Sequence, residues 1–440
     1  MTSHKFIFLG GFLILQHALV TDHRNSESIL LKSGNYIDRY ERISDNMAQT
    51  DNLSVHIDNY FGIEAQLSSE EVQVRDTVRR FVDAKVRPYA GKWWLDGIFP
   101  TDLVPQLAEL GVFGPTLPEQ YGGAGLSPIA YGLMMQELER GDSGLRSFAS
   151  VQSGLAMYAI YKYGSEEQRM AYLPKMAAGE IIGCFGLTEP DAGSDPAAMR
   201  TVAKSVPGGV RITGVKRWIT NGNLAQIAVV WAKDDEGVIR GYIVPTSSEG
   251  FAARHISTKA SMRMSVTSEL YLDNVFVPQD HILPASRGLG SPLGCLTQAR
   301  YGIAWGTVGA ALDCLNEAAS YAQTRMAFGK PIAATQLMQE RLVDMLSMTV
   351  NMQLKALQLG RLYQSGAMRY PQVSLTKRDN ARSALIVARM AREILGGNGI
   401  SVDYPPIRHL TNLETVDTYE GTYEIHTLIV GRDLLGENAF

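Results

Sequence analysis

The stretch Cys184–Met199, CFGLTEPDAGSDPAAM, is where the hydrophobic period of the chain changes. From about Leu67 to Ala177 apolar residues recur at helical spacing. LSSEEVQVRDTVRRFVDAKVRPY opens with a Ser68-Ser-Glu-Glu capping signal, and Pro88 ends or kinks that helix. DLVPQLAELGVFG, stopped by Gly111 and Gly114, is a second helix; SPIAYGLMMQELERGDSG and SEEQRMAYLPKMAAGE are a third and fourth. After the stretch, from about Ile181 to Pro284, VRITGVKRWITNG and QIAVVWAKDDEGVIRGYIVP read as strands, with Asp234-Asp-Glu-Gly as a hairpin turn. SELYLDNVFVP adds a strand that ends at a proline, so the middle of the chain predicts a small sheet or barrel. The loop itself has two local readings. It is a Pro/Gly turn with capping residues, or it offers backbone N–H groups and hydroxyls to a flat polar ligand.

From about Arg300 onward the pattern is helical again. Long amphipathic segments with short connections predict a bundle. The 440 residues suit roughly three domains, and their order is helices, sheet, bundle. Net charge is −4, from 41 basic and 45 acidic residues, which gives no reason to expect a nucleic-acid or anionic-membrane partner. Cys184, Cys295 and Cys314 lie far apart and form no CxxC pair, so no disulfide framework or zinc site is indicated. Residues 5–20, KFIFLGGFLILQHALV, resemble a signal-peptide core but are short for a membrane span. No small-x-small cleavage site follows, and five acidic residues between 21 and 46 argue against a transit peptide. Met47 begins a segment that reads as a natural start, so residues 1–46 are expected to be a non-native extension or leader.

No GxGxxG follows a strand, and GxxxxGK[ST], HExxH and GxSxG are all absent. Trp218-Ile-Thr-Asn-Gly closes a strand with a tryptophan that suits a core or an aromatic ligand. Leu395-Gly-Gly-Asn-Gly-Ile suits a helix C-cap or a close backbone approach to a ligand. Near the C-terminus, in TYEGTYEIHTL, Asp417-Thr-Tyr-Glu420 has the spacing of a capping box. Read locally, Glu420 opens the final helix and contributes about 0.3–1 kcal/mol against its dipole.

In order, CFGLTEPDAGSD, WITNG, RMAFGKPI, LGGNGI and TYEGT resemble the acyl-CoA dehydrogenase family across about residues 60–440. The likeness is nearest to the glutaryl-CoA dehydrogenase branch, through ELERGDSGLRS, ARYGIAWG and TYEGT. It implies an α+β multi-domain fold: an N-terminal helical domain (60–180), a central β-barrel (181–290) and a C-terminal four-helix bundle (291–440), assembled as a homotetramer. It also implies FAD, with Phe185, Gly186, Leu187, Thr188, Gly193 and Ser194 wrapping it and Trp218, Ile219 and Thr220 against its ring system. Arg325, Gln336, Glu393, Ile394, Leu395, Gly396 and Gly397 are expected to hold its outer portion across a subunit contact. Thr422, Glu424 and Phe440 are expected nearby.

By the same resemblance Glu420 is the base that removes the substrate α-proton, and no metal takes part. Ser194, Leu293, Gly294, Arg300 and Gly421 are expected to line the acyl-CoA site. Arg146 matches the arginine that binds the distal carboxylate of glutaryl-CoA, with Glu139, Ser147 and Tyr419 in its surroundings. A planar guanidinium presents paired donors that suit a carboxylate, and a plain acyl chain would leave it unpaired. The implied reaction is FAD-dependent oxidation and decarboxylation of glutaryl-CoA to crotonyl-CoA and CO2, as in lysine and tryptophan degradation, with electrons passed to an electron-transfer flavoprotein. Alternatives are a short-chain acyl-CoA dehydrogenase, a non-decarboxylating glutaryl-CoA dehydrogenase and an acyl-CoA oxidase. The location expected is cytoplasmic in a bacterium and the mitochondrial matrix in a eukaryote. Asp191-Ala192 and Met264 depart from the family's usual residues without removing a catalytic group.

Overall fold

The structure, a computed structural model, describes residues 57–438 and two short strands, β1 (Ile7–Leu9) and β2 (Phe12–Ile14), paired antiparallel. Those strands aside, residues 1–46, expected as an extension or leader, lie outside the described residues, as does Phe440.

The first layer is helical. Helix α1 (Ser69–Lys85) starts where the sequence predicts, with a complete capping box: Ser68 Oγ accepts from the Glu71 N–H at 3.2 Å, and Glu71 Oε2 accepts from the Ser68 N–H at 2.8 Å. Pro88 does not kink α1. It sits in the first turn of a new helix, α2 (Arg87–Asp96), where a missing N–H costs nothing. After the short α3 (Val104–Glu109) come α4 (Pro128–Gly141) and α5 (Ser143–Ser150), both almost wholly buried. A π-helical turn, Val151–Met157, carries the chain on into α6 (Tyr158–Tyr163) and α7 (Glu166–Ala177).

The middle of the chain is a seven-stranded sheet in the order β3-β6-β4-β5-β9-β8, with β7 also on β6. The strands are β3 (Gly183–Gly186), β4 (Val202–Val206), β5 (Gly209–Thr220), β6 (Ile227–Lys233), β7 (Ile239–Pro245), β8 (Phe251–His255) and β9 (Thr267–Pro278). It curls about one apolar cluster that includes Cys184, Ile212, Ile219, Val230, Tyr242, Leu270 and Val277. The pairing of β5 with β9 slips between Lys216 and Ile219, and this bulge turns Trp218 outward with φ 62° and half its surface exposed (52%).

The last layer is the predicted bundle: α8 (Gly290–Thr324), α9 (Gln336–Gln364), α10 (Tyr370–Ile394), α11 (Pro405–Thr418) and α12 (Tyr423–Leu435). Between α8 and α9 a two-stranded turn, β10 (Met326–Ala327) with β11 (Lys330–Pro331), leaves Phe328 fully exposed. Helix α8 crosses α4 closely because its contact positions are glycines: a Cβ on Gly309 would lie 1.9 Å from the Gln136 carbonyl oxygen. Asn412 on α11 ties the three regions together. Its Oδ1 accepts from the Trp94 indole and the Met262 N–H, both at 2.9 Å, and its Nδ2 donates to Asp142 at 3.0 Å. No described helix is long and apolar enough to cross a membrane. Among the described residues no His, Cys, Asp and Glu cluster is arranged to hold a metal ion. All three cysteines are free and buried, and burial pushes the Cys184 thiol up to about 12 and raises the other two.

Candidate active site

The segment between α11 and α12 corrects the local reading of Glu420. Helix α11 continues through Asp417 and Thr418, so Asp417 is a helical residue and not a cap. The final helix begins later, at Tyr423, and its cap is Thr422, whose Oγ1 accepts from the Ile425 N–H at 3.3 Å. Glu420 caps neither helix. It stands between them in the left-handed region, with φ 51°. Such a conformation costs a non-glycine residue about 1–3 kcal/mol and persists only where the surroundings over-determine it.

Those surroundings are cations. Arg300 on α8 donates from Nε to the Glu420 carbonyl at 2.6 Å. Lys377 on α10, buried, donates from Nζ to the carbonyls of Asp417, Tyr419 and Gly421 at 3.2, 3.0 and 2.8 Å. Arg146 on α5 donates to the Tyr419 hydroxyl. With its backbone held, Glu420 turns its carboxyl inward. The residue as a whole is half-buried, yet Oε2 is shut off from solvent and takes no hydrogen bond among the described residues. Burial raises its pKa above the ordinary carboxylate range, against the opposing pull of Arg146, Arg300 and Lys377.

Arg146 is wholly buried and already half-committed. Its Nε donates to Glu139 Oε2 at 2.6 Å, and Glu139 Oε1 accepts from Ser143 Oγ at 2.8 Å. Gly306 of α8 makes room for this pair, since a Cβ there would meet Glu139 Oε2 at 2.1 Å. The remaining nitrogen, Nη1, is buried with no partner among the described residues. Ser147 is buried next to it in sequence. The three buried cations around Glu420 are faced by that carboxylate, by Glu139 on Arg146 and by Asp417 near Lys377. Among the described residues Arg146 Nη1 is the donor of this group left open to an anionic ligand.

Four residues of this site escaped the sequence reading. The Tyr131 hydroxyl and Ser150 Oγ are buried facing one another, with no other partner among the described residues, and both flank Gly302 on α8, 3.2 and 3.7 Å from where its Cβ would be. Ser150 was findable, because it follows Arg146 by four residues on one helix face. Lys377 was also findable: it shares the apolar stripe of α10 with Val373 and Ala381. His426 packs on Gly421, and burial beside Lys377 and Arg300 holds it neutral, with a pKa down to about 2. Nothing in its local sequence marked it.

The residues expected around FAD fall into two groups. Phe185, Gly186 and Leu187 are buried as β3 leaves the sheet, so they present backbone rather than side chains. The Thr188 carbonyl accepts from the Arg217 N–H at 2.8 Å, which ties the loop to β5 beside Trp218. Inside the loop, Glu189 accepts from the Arg200 and Thr201 N–H groups at 2.6 and 3.0 Å and pairs with buried Lys216 at 2.8 Å, so it is structural. Gly193 and Ser194 are exposed, and a Cβ on Gly193 would meet nothing. Trp218 shows its ring outward, Thr220 is half-buried, and Ile219 points into the sheet core, leaving it only backbone to offer.

At the far end of α8 the second group gathers. Arg325 caps that helix, and Asn398 reaches Tyr321 at 3.3 Å, which brings the turn after Leu395 to the same place. Gln336, Glu393, Gly396 and Gly397 are exposed, whereas Ile394 and Leu395 are buried. Among the described residues no hydrogen bond or ion pair links this group to the loop after β3. An outward-facing tryptophan beside an open glycine loop, and a second open glycine turn elsewhere, fit a long flat ligand with an extended tail. Thr422 and Glu424 border the Glu420 segment on the first turn of α12. Leu293 and Gly294 lie half-buried in the first turns of α8, two turns before Arg300.

Family models of the acyl-CoA dehydrogenase N-terminal, middle and C-terminal domains match residues 68–180, 184–275 and 286–435. The chain is similar to the crystal structure of a glutaryl-CoA dehydrogenase from Mycobacterium smegmatis, at 52% identity and a TM-score of 0.86, over 87% of this chain and 99% of that one. A second glutaryl-CoA dehydrogenase structure from that organism, in complex with FADH2, is 48% identical with a TM-score of 0.85, over 87% of this chain and 98% of the other. Among curated relatives, an acyl-CoA dehydrogenase of Bacillus subtilis is 34% identical over 84% of this chain and 99% of its own length.

Proposed function

The chain belongs to the acyl-CoA dehydrogenase family of FAD-dependent oxidoreductases, and from that premise we propose that it oxidises and decarboxylates glutaryl-CoA to crotonyl-CoA and CO2, with electrons leaving to an electron-transfer flavoprotein. The observation that carries this reading is the Nη1 of Arg146, buried near Glu420 with no partner among the described residues. A dicarboxylic acyl group supplies the missing acceptor. A plain acyl chain leaves a buried cation donor unsatisfied, which costs affinity. The 52% identity to a glutaryl-CoA dehydrogenase points the same way.

The residues then take these roles. Arg146 holds the distal carboxylate, with the Tyr131 and Ser150 hydroxyls at hand. Among the described residues the Glu420 N–H has no acceptor, which leaves it to bond the thioester carbonyl and stabilise the enolate that forms as the α-proton leaves. The Glu420 carboxylate takes that proton, and its buried, unbonded oxygen makes it a stronger base than a carboxylate in water. FAD, held by the Phe185–Thr188 backbone and Trp218, would supply the acceptor for the β-hydride. The distal carboxylate of the unsaturated product departs as CO2, its bonding electrons delocalise into the thioester as a dienolate, and Glu420 returns its proton to the terminal carbon. In the homotetramer proposed here, Arg325, Gln336 and the 393–397 turn, which share no hydrogen bond with the loop after β3 among the described residues, would complete the FAD site of a neighbouring subunit.

A substrate panel with product mass analysis tests this. Glutaryl-CoA is expected to be turned over best, with CO2 released and crotonyl-CoA formed. Strong preference for butyryl-CoA removes the role given to Arg146 and makes the protein a short-chain dehydrogenase. Accumulation of glutaconyl-CoA removes decarboxylation, and fast peroxide formation makes it an oxidase.

A further inference from the structure

Lys377 has no role in the steps above, and its environment is unusual. An ammonium wholly inside a protein is normally paired with a carboxylate. Among the described residues Lys377 makes no ion pair within 4.0 Å, and all three of its donors go to main-chain carbonyls, those of Asp417, Tyr419 and Gly421. Those carbonyls bracket Glu420, whose own carbonyl is taken by Arg300. The left-handed turn at Glu420 is therefore written by two side chains from two other helices.

We propose that Lys377 is the positioning residue of this site: its ammonium fixes the backbone on both sides of Glu420 and, when protonated, lends positive charge to that carboxylate. This rests on the proposed role of Glu420 as base. The charges around Glu420 are Arg146 from α5, Arg300 from α8 and Lys377 from α10, with the Tyr131 and Tyr419 hydroxyls and neutral His426 alongside. Lys377 is faced in turn by Glu420 and Asp417, which favour its charge, and by Arg300 and Arg146, which oppose it. Burial brings its pKa down to about 7, against the opposing pull of Glu420 and Asp417. Loss of this cation removes one of three influences that keep Glu420 ionised, so the pH below which Glu420 is protonated moves up.

The test compares Lys377→Met, which removes charge and donors, with Lys377→Gln, which removes charge but keeps two donors. Wild-type turnover of an acyl-CoA is read first, and its absence removes the proposed function itself. Given turnover, both variants are expected to keep the visible flavin spectrum. In Lys377→Met kcat is expected to fall at least about tenfold with KM little changed. The acid limb of kcat/KM should move to higher pH in both variants, whereas the kcat loss should be smaller in Lys377→Gln. Amide hydrogen exchange across residues 415–422, read on the protein without substrate, should accelerate in Lys377→Met more than in Lys377→Gln. An acid limb that stays in place, or exchange that stays slow, overturns the proposal. Loss of flavin and fold in both variants overturns it too, and makes Lys377 a structural strut.

Discussion

Glu420 joins two liabilities, a left-handed backbone and a carboxyl group whose second oxygen has no partner. A folded-state pKa above the unfolded value means that the charged form is destabilising. The stabilising contribution of the protonated group is complete below the unfolded pKa, about 4.3, and is lost as pH rises through the folded value. Glu420→Gln is therefore expected to raise the thermal midpoint at pH 8 relative to wild type, with the gain closing as the pH falls toward 4. In the same variant kcat/KM should drop by about 10²–10⁴ while flavin is retained. Melting curves at the two pH values and one steady-state assay check both halves; unchanged activity would return Glu420 to a structural role. At this scale the sequence was legible in part. Arg146, Glu139 and Glu420 were named from motifs and stand together in the fold, but the capping box was misread. Its spacing is compatible with a helix start, and only the continuation of α11 through Thr418 shows that Asp417 is spoken for. Tyr131 was missed because a tyrosine on an apolar helix face reads as core until its hydroxyl is seen to face Ser150 beside Gly302.

At the scale of elements the periodicities carried most of the information. The α1 capping box, the Asp234 hairpin turn and the long bundle helices were all expected and all form. What periodicity cannot supply is register against a partner. The slip between Lys216 and Ile219 that exposes Trp218 depends on β9, some 50 residues away, so the tryptophan could be read as core or as ligand-facing but not decided. The crossing of α4 and α8 is similar: glycines in an Ala-rich helix read as weak points until the facing helix is in view. Gly309→Ala is expected to lower stability by about 1–3 kcal/mol, because its Cβ would press on the Gln136 backbone carbonyl, which cannot rotate away. Denaturant titration measures this, and a neutral result would mean that the two helices separate without cost.

Across the whole molecule, the order of helices, sheet and bundle was readable, but the joints between them were not, since they rest on single polar residues. Asn412 is one such joint, accepting from Trp94 and Met262 and donating to Asp142, which also takes Arg408 at 2.6 Å. Asn412→Ala strands those groups, at about 1–3 kcal/mol for each buried donor or acceptor left unpaired. A clear fall in the denaturant midpoint is expected; a change within about 0.5 kcal/mol, the range of ordinary surface positions, would show that the joint is slack. One further property of the molecule follows from the burial of Cys184, Cys295 and Cys314, whose thiols all titrate above their ordinary value. A thiolate is the form that alkylating reagents attack, and here it is neither formed at neutral pH nor within reach. The wild-type chain therefore already behaves as a cysteine-free background. A single cysteine introduced at the exposed tip residue Phe328 would carry a fluorophore at one defined place without rebuilding the core.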